Sequence, residues 1–348
     1  MTRLTRAQTQ ERNRARVIEA AHAEFAERGF RDAKIDAIAE RAGLTRGGVY
    51  SNFPGKRALY FAVLAGMAET TRPFAQPGTD LATALGAFAA GRLGRLDETG
   101  IAAHLDAEIT ADPALRLAYR ALLGLNALLL GLAMERLAPP EKPPGAPDPR
   151  RVRQAEAVLT TLHGATRLAT TAPGFVEPFD AIGACENLAT LSLDDWWAPP
   201  QEPARVDEVD LPWAPRAVAD LVSGSSVVVE DGVVAVLGLH RAPVIEESAR
   251  AGLPVTAVLV TNQPDELLPL AHMVIAETTT CVRQAFPRES WPTLKVTCDP
   301  TIAPAVGLTA TSDATELAVR VENGRITAKA EGPGACHAVS ARKTWVTA

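Results

Sequence analysis

Apolar side chains in the first sixty residues recur at steps of three and four, the spacing of one helix face. A stripe over residues 17–25 ends at Gly29, the residue type that most often terminates a helix in the left-handed conformation. A shorter stripe covers residues 34–43, and a third helix is predicted to begin at Thr45 and to stop at Pro54. Two short helices joined by a tight glycine turn predict a helix-turn-helix.

The third predicted helix carries small and hydrogen-bonding residues between two apolar anchors. Val49 and Phe53, four residues apart, are expected to pin it to the core and to leave the opposite side free for the major groove of DNA. Arginine and asparagine can read guanine and adenine, hydroxyl groups can bond phosphates, and glycines allow close approach. The predicted DNA-binding residues are Thr45, Arg46, Gly47, Gly48, Tyr50, Asn52 and Lys56.

Charge is distributed unevenly along the chain. Residues 1–61 contain 12 Lys and Arg against 7 Asp and Glu, whereas the whole chain has 35 against 41 and a net charge of −6. The first segment is therefore basic and the remainder acidic. A basic segment on an acidic body is typical of a domain that binds a polyanion.

Residues 12–61 resemble the amino-terminal domain of TetR-type transcriptional repressors. The matching pieces are "AAHAEFAERGF", "IAERAGLTRGGVYSNF" and the following Lys56. The resemblance implies a homodimer on a near-palindromic double-stranded operator, released when a small-molecule effector binds a helical carboxy-terminal domain. Two residues depart from the family pattern: Lys34 replaces a Thr or Ser cap, and Gly48 replaces a commoner Thr, Ser or Ala.

Residues 62–197 are predicted to be the helical ligand-binding and dimerisation domain. A long segment from residue 104 to 138 is apolar nearly all round between Leu122 and Leu132, so it should be buried on most sides. By the resemblance, the last two helices should pair with those of a second copy. An apolar or amphipathic effector would need a few polar contacts inside this domain. The polar candidates are His104, Tyr119, Asn126 and His163.

Beyond residue 197 the pattern changes from helix to strand. Residues 198–214 are rich in proline and acidic side chains, which predicts a linker. Residues 215–348 predict an α/β domain with a mixed sheet: a hairpin over 225–240, a buried strand and helix over 253–273, and a strand over 274–279. A strand at 294–298 and a hairpin around Asn323-Gly324 are predicted to complete it. The predicted fold class is thus an all-α TetR-like repressor fused to an α/β domain.

The chemistry of the α/β domain is open on sequence grounds. No nucleotide-binding glycine loop, nucleophile elbow or close metal-ligand spacing occurs, so we predict no enzyme activity and no cofactor. His240 and Arg241 could hold an anion at a strand end. The domain is expected to bind a second effector or a protein partner; a catalytic domain and a thiol- or metal-sensing one are the alternatives. The weak metal or thiol candidates are Cys281, Cys298, Cys336 and His337.

Length and hydropathy add limits on domain number and location. With 348 residues and an apolar fraction of 47%, two or three globular domains are expected. No uninterrupted apolar run has the roughly 20 residues of a membrane helix, and the first residues lack the apolar core of a signal peptide. These patterns predict a cytoplasmic protein without a membrane partner.

Overall fold

A computed structural model describes residues 5–70, 76–94, 100–142, 149–193, 195 and 204–341 of the chain. The architecture has three parts, which we call the head (residues 5–61), the body (residues 62–193) and the α/β half (residues 204–341). The head and body are helical, and the α/β half is built around a mixed sheet.

The head contains the predicted helix-turn-helix. Its helices are α1 (Arg6–Asp32), α2 (Ile35–Arg41) and α3 (Arg46–Tyr50), and α4 (Lys56–Glu69) leads into the body. Helix α1 begins at Thr5, which forms a capping box with Gln8, and it breaks at Gly29, whose φ of 69° no other residue type adopts readily. After this break Phe30 folds back into the core with 7% of its surface exposed.

Within the described residues, the body contains the end of α4, a short 3-10 helix (Ile101–His104) and five further α-helices. They are α5 (Leu81–Leu93), α6 (Leu105–Ala111), α7 (Pro113–Leu137), α8 (Val152–Thr171) and α9 (Pro178–Leu188). Helix α7 is long and apolar enough to cross a bilayer, but 67% of its most apolar stretch is buried inside the protein. The all-round apolar segment is therefore accounted for by packing against the neighbouring helices.

The α/β half has a six-stranded sheet with strand order β1-β8-β7-β4-β5-β6 and a separate two-stranded sheet of β2 and β3. The strands are β1 (Val206–Pro212), β2 (Arg216–Asp220), β3 (Ser225–Val229), β4 (Gly232–Gly238), β5 (Val255–Val260), β6 (Lys295–Thr297), β7 (Glu316–Glu322) and β8 (Arg325–Glu331). The helices are α10 (Glu246–Ala249), α11 (Pro264–Ala285), α12 (Ile302–Ala305) and α13 (Ala335–Ser340). Strands β4, β5 and β6 are parallel, and β7, β8 and β1 add antiparallel pairs, so the predicted mixed sheet is confirmed.

Of the two predicted hairpins, one forms and one does not. Strands β7 and β8 pair across Asn323 and Gly324, which both have the positive φ that a tight hairpin turn requires. The predicted hairpin over 225–240 is wrong, because β3 pairs with β2 while β4 lies in the large sheet. Strand β4 is buried on both faces, which suits the interior of a large sheet and not a two-stranded hairpin. Asp231, which connects β3 to β4, accepts backbone hydrogen bonds from Asn323 and Gly324 at the β7–β8 turn.

The strand predicted over residues 274–279 is also wrong, since these residues continue helix α11 to Ala285. Helix α11 is buried on several sides, and burial on opposite sides removes the polar face that identifies a surface helix. Residues 274–279 are also rich in β-branched side chains, which are common in strands, so this part of the helix has the sequence pattern of a strand.

Part of the predicted linker belongs to the α/β fold. Val206–Pro212 forms the edge strand β1, antiparallel to β8. The following Trp213 is 5% exposed, and its indole Nε1 donates to the carbonyl of Val229 at 3.2 Å. The proline-rich composition predicted a linker because an edge strand with most side chains in solvent needs few apolar residues.

The α/β half is not separated from the helical parts. One continuous apolar core contains side chains from the head, the body, α11 and one face of the six-stranded sheet. A second, smaller core covers the opposite face of that sheet. The prediction of an independent domain on a linker therefore does not describe this arrangement, in which α11 packs directly against α4, α5 and α7.

Candidate nucleic-acid interface

Helix α3 presents one face to solvent and buries the other. The Thr45 hydroxyl caps it by accepting the Gly48 N–H at 3.1 Å, while Val49 and Phe53 are each 1% exposed. Thr45 and Gly47 lie on the exposed side. Helix α3 ends at Tyr50, earlier than the predicted stop at Pro54, so Val49 anchors the helix itself and Phe53 anchors the segment that follows it.

Arg46 is held at the free side by two neighbours. Its guanidinium lies 3.2 Å from a carboxylate oxygen of Asp36 and 5.6 Å from the ring centre of Tyr50. Hydrogen bonding to Tyr50, followed by the charge of Asp36, raises the pKa of Arg46. Tyr50 is 41% exposed. An arginine and a tyrosine thus stand side by side on the same exposed surface, where a nucleic acid would find both a cation and a hydroxyl.

Asn52 and Lys56, also predicted to contact DNA, make bonds within the head. The Asn52 side-chain amide donates to the Gly48 carbonyl at 2.8 Å. The Lys56 ammonium donates to the carbonyls of Arg31 and Ala33 at 3.0 and 3.1 Å. Lys56 therefore ties α4 to the connection between α1 and α2, a structural role that its position in sequence did not predict.

A buried acid supports the helix-turn-helix. Glu24 is 1% exposed and forms ion pairs with Arg28 at 3.3 Å and with Arg41 at 3.5 Å. It also accepts the backbone N–H of Lys34 at 3.4 Å, at the start of α2, where the Lys34 side chain supplies no cap. Glu24 thus partly replaces the missing cap of α2. In the sequence, the only sign that Glu24 is buried is its position on the apolar face of α1, next to Phe25.

Three of the four ligand candidates lie near the junction of the body with α11. Asn126 is 2% exposed and its amide donates to the Val274 carbonyl at 2.7 Å. Burial and then the charge of Arg92 lower the pKa of His163, and burial followed by the charge of Glu277 raises that of Tyr119. His104 lies elsewhere, against Gly29 of the head, where a Cβ would be 3.1 Å from its Nε2 atom.

The predicted binding residues of the α/β half either make structural contacts or lie apart from one another. Arg241 forms an ion pair with Glu316, which is 3% exposed and also accepts backbone N–H groups of α13, so Arg241 is committed to a structural contact. Cys281 and Cys336 are buried in different helices, α11 and α13. Within the described ranges, no group of three His, Cys, Asp or Glu side chains could hold a metal ion, so Cys281, Cys298, Cys336 and His337 do not form a metal site.

The sequence similarity to known proteins lies in and just beyond the head. Residues 17–63 match the family model described as "Bacterial regulatory proteins, tetR family". The HTH-type transcriptional regulator SrpR of Pseudomonas putida is 48% identical over 65 residues, which are 19% of this chain and 30% of SrpR. The HTH-type transcriptional regulator TtgR, also of Pseudomonas putida, is 43% identical over 70 residues, 20% of this chain and 33% of that regulator. The chain thus matches about a third of the length of these two curated relatives.

Solved structures also match the helical part of the chain. A TetR transcriptional regulator from Rhodococcus sp. RHA1 has 18% identity and a TM-score of 0.34, covering 53% of this chain and 99% of its own. FadR from Bacillus subtilis, in complex with stearoyl-CoA, has 14% identity and a TM-score of 0.34 over 51% of this chain and 97% of its own.

Proposed function

We propose that this chain, whose amino-terminal domain is a TetR-type DNA-binding domain, is a transcriptional repressor released from its operator by a small apolar or amphipathic molecule. The observation that carries the proposal is the face of α3, where exposed polar side chains and glycines lie opposite the buried anchors Val49 and Phe53. We further propose a cytoplasmic location, no cofactor and no catalytic role.

Base recognition is assigned to Arg46 and Asn52. Arg46 is 61% exposed, and its partner Asp36 is 68% exposed, so the guanidinium can exchange this weak surface ion pair for a guanine edge. The bond from the Asn52 Nδ2 atom to the Gly48 carbonyl uses one of the two amide N–H groups and holds the side chain beside α3. The other N–H and the Oδ1 atom can bond adenine. Gly47 and Gly48 allow the backbone to approach the bases.

Phosphate contacts are assigned to Thr45, Tyr50 and Lys56. Thr45 and Tyr50 are exposed at either end of α3. Lys56 is half-buried, and its ammonium group donates hydrogen bonds to two backbone carbonyls. It therefore contributes to DNA binding through its positive charge at the edge of the head. Such contacts fix register and orientation and carry little sequence information.

Dimerisation is assigned to α8 and α9. Phe175 and Phe179, at the connection and the start of α9, are 74% and 79% exposed. Large exposed aromatic side chains of this kind are enriched in protein interfaces. Two copies paired through this surface would present two heads to successive major grooves of a palindrome. In sedimentation experiments, a Phe175→Ser, Phe179→Ser variant should shift from dimer to monomer.

The effector site is assigned to the polar cluster between α7, α8 and α11. The His163 Nδ1 atom lies 2.7 Å from the Leu159 carbonyl and so carries the proton, which leaves Nε2 as an acceptor. This buried Nε2 and the buried Oδ1 of Asn126 have no hydrogen-bond partner among the described residues. Two unsatisfied acceptors favour an effector that brings a hydroxyl or amino group on an apolar framework. Alcohols should then release DNA better than their methyl ethers.

The repressor proposal is tested by selecting duplexes from a random library with the purified chain and measuring affinity for the enriched sequence. Arg46→Ala should weaken binding and relax one base position, by about 1–3 kcal/mol of discrimination. Arg205→Ala is the matched control, because Arg205 is likewise an exposed arginine paired with an exposed aspartate, Asp207. Failure to enrich any sequence, or equal loss in both variants, would refute the assignment.

A further inference from the structure

Helix α11 of the α/β half packs against the helical parts of the chain. Its buried residues occupy more than one face and run from Leu267 to Ala285. They belong to the same apolar core as residues of β4 and β5, and they contact α4, α5 and α7. Among the described elements, α4 and α11 form the most extensive contact.

Polar contacts fix α11 to the body. The buried amide of Asn126 on α7 donates to the Val274 carbonyl of α11 at 2.7 Å. Arg92 of α5 and Glu277 of α11 form an ion pair at 2.9 Å, with 11% and 28% of their side chains exposed. A shift of α11 along the body would cost free energy, because each of these polar groups would lose its hydrogen-bond or ion-pair partner. The position of α11 along the body is therefore specified.

The first turn of α4 is where the head, the body and the α/β half meet. Arg57 forms an ion pair with Asp112, the N-cap of α7, at 3.2 Å and a second ion pair with Glu266 in the first turn of α11. The preceding residue, Lys56, holds the connection between α1 and α2. Only five residues separate the end of α3 at Tyr50 from the start of α4, so a movement of α4 must be carried to α3.

We propose that the α/β half sets the orientation of the DNA-binding head through the contact of α11 with α4 and the Glu266–Arg57 ion pair. It thereby acts as a built-in regulatory partner of the head. The inference rests on the proposed DNA binding. With α11 in place, α3 is held in one orientation; with α11 loosened, the head adopts many orientations, and DNA binding must then select one of them at a cost in affinity. Because coupling is reciprocal, DNA binding also stabilises the position of α11.

The test compares two variants of the full chain. Glu266→Gln removes the ion pair with Arg57, while Asp265→Asn removes an equal charge from an exposed neighbour in the same turn of α11. Loss of a negative charge alone would strengthen DNA binding equally in both variants. We expect Glu266→Gln to bind the selected operator about five-fold more weakly than Asp265→Asn, the lower end of typical coupling between sites. Their melting temperatures should agree to within a few degrees.

Each result decides the proposal. Equal operator affinities of the two variants would overturn it, whereas a wild-type chain that binds no DNA would instead refute the proposed function. If Glu266→Gln does not fold, hydrogen exchange of the wild type decides. Added operator should slow exchange in residues 265–270 of α11 and leave β3 unchanged; no difference in α11 would overturn the coupling.

Discussion

Replacing Gly47 by alanine should stabilise the protein and weaken its binding to DNA. Gly47 lies exposed in α3, and a Cβ there would be no closer than 3.9 Å to another atom, the Thr45 hydroxyl oxygen. Alanine is favoured over glycine in helices by up to about 1 kcal/mol. Because Gly47 is in the first helical turn, we expect about half of this gain, or a rise of roughly 1–2 °C in melting temperature.

Against DNA the same methyl group has the opposite effect. If Gly47 faces the bases, the methyl displaces α3 outward by about the width of the added group, which lengthens the hydrogen bonds to base edges beyond their normal range. Loss of one two-bond base contact costs about 1–3 kcal/mol, which corresponds to roughly 5- to 150-fold in affinity. Stability and affinity therefore change in opposite directions, so destabilisation of the head cannot explain the loss.

Gly48→Ala is the matched control. A Cβ at Gly48 would lie 3.4 Å from the Leu44 Cβ, an ordinary contact, and TetR-type proteins commonly carry a side chain at this position. Both variants are measured by fluorescence anisotropy with the selected operator at one salt concentration and by thermal melting. We expect the greater loss of affinity for Gly47→Ala, because Gly47 is exposed whereas Gly48 is half-buried. Unchanged affinity in Gly47→Ala, or a greater loss in Gly48→Ala, would refute the proposed direction of α3.

Three further predictions concern the remaining structure. Residues 1–200 expressed alone should fail to melt cooperatively, because the surfaces that α11 covers would be exposed; a soluble, DNA-binding fragment would contradict the shared core. Burial raises the pKa of Cys185 to about 11, so at pH 8 a thiol reagent should label this thiol only after denaturation. Rapid labelling of the native protein would instead support the alternative of a thiol-sensing regulator. His163 has a pKa below its unfolded value near 6.5, so its contribution to stability is complete above pH 6.5 and is lost as the pH falls. His163→Gln should melt with a shallower decline below that pH, and an unchanged slope would exclude His163 as a cause.

The head could be predicted in detail because its signals are local. Gly29 and Gly43 both have the positive φ that their positions as helix stops imply, and Thr45 caps α3 through its own hydroxyl. Each of these features depends on residues within four positions along the chain. The exceptions are long-range contacts, such as the bond from Arg14 to the Asn52 carbonyl at 3.1 Å. No spacing rule connects residues so far apart in sequence.

The α/β half was predicted less well because strand pairing is decided by distant residues. The β7–β8 hairpin has a turn signal of its own at Asn323-Gly324, and its prediction is confirmed. No tight-turn sequence joins β4 to the strands it pairs with, β5 and β7, because both are separated from β4 by intervening segments of the chain. Adjacent Val-rich runs around Gly232 therefore favoured a hairpin that the sheet does not contain. The sequence pattern predicts which segments form strands, but contacts within the folded sheet decide which strands pair.

Helix α4 is a part of the helical bundle that the α/β half covers. Eight consecutive residues of α4, Ala58 to Ala65, are each no more than 8% exposed. A helix at the surface of a two-layer bundle buries one stripe and leaves the opposite side polar. Helix α4 has no polar side in this stretch, so it requires cover from more than one direction. Helix α1 supplies one cover and α11 the other. The apolar composition of α4 thus requires cover from several elements, and α11 of the α/β half supplies part of it.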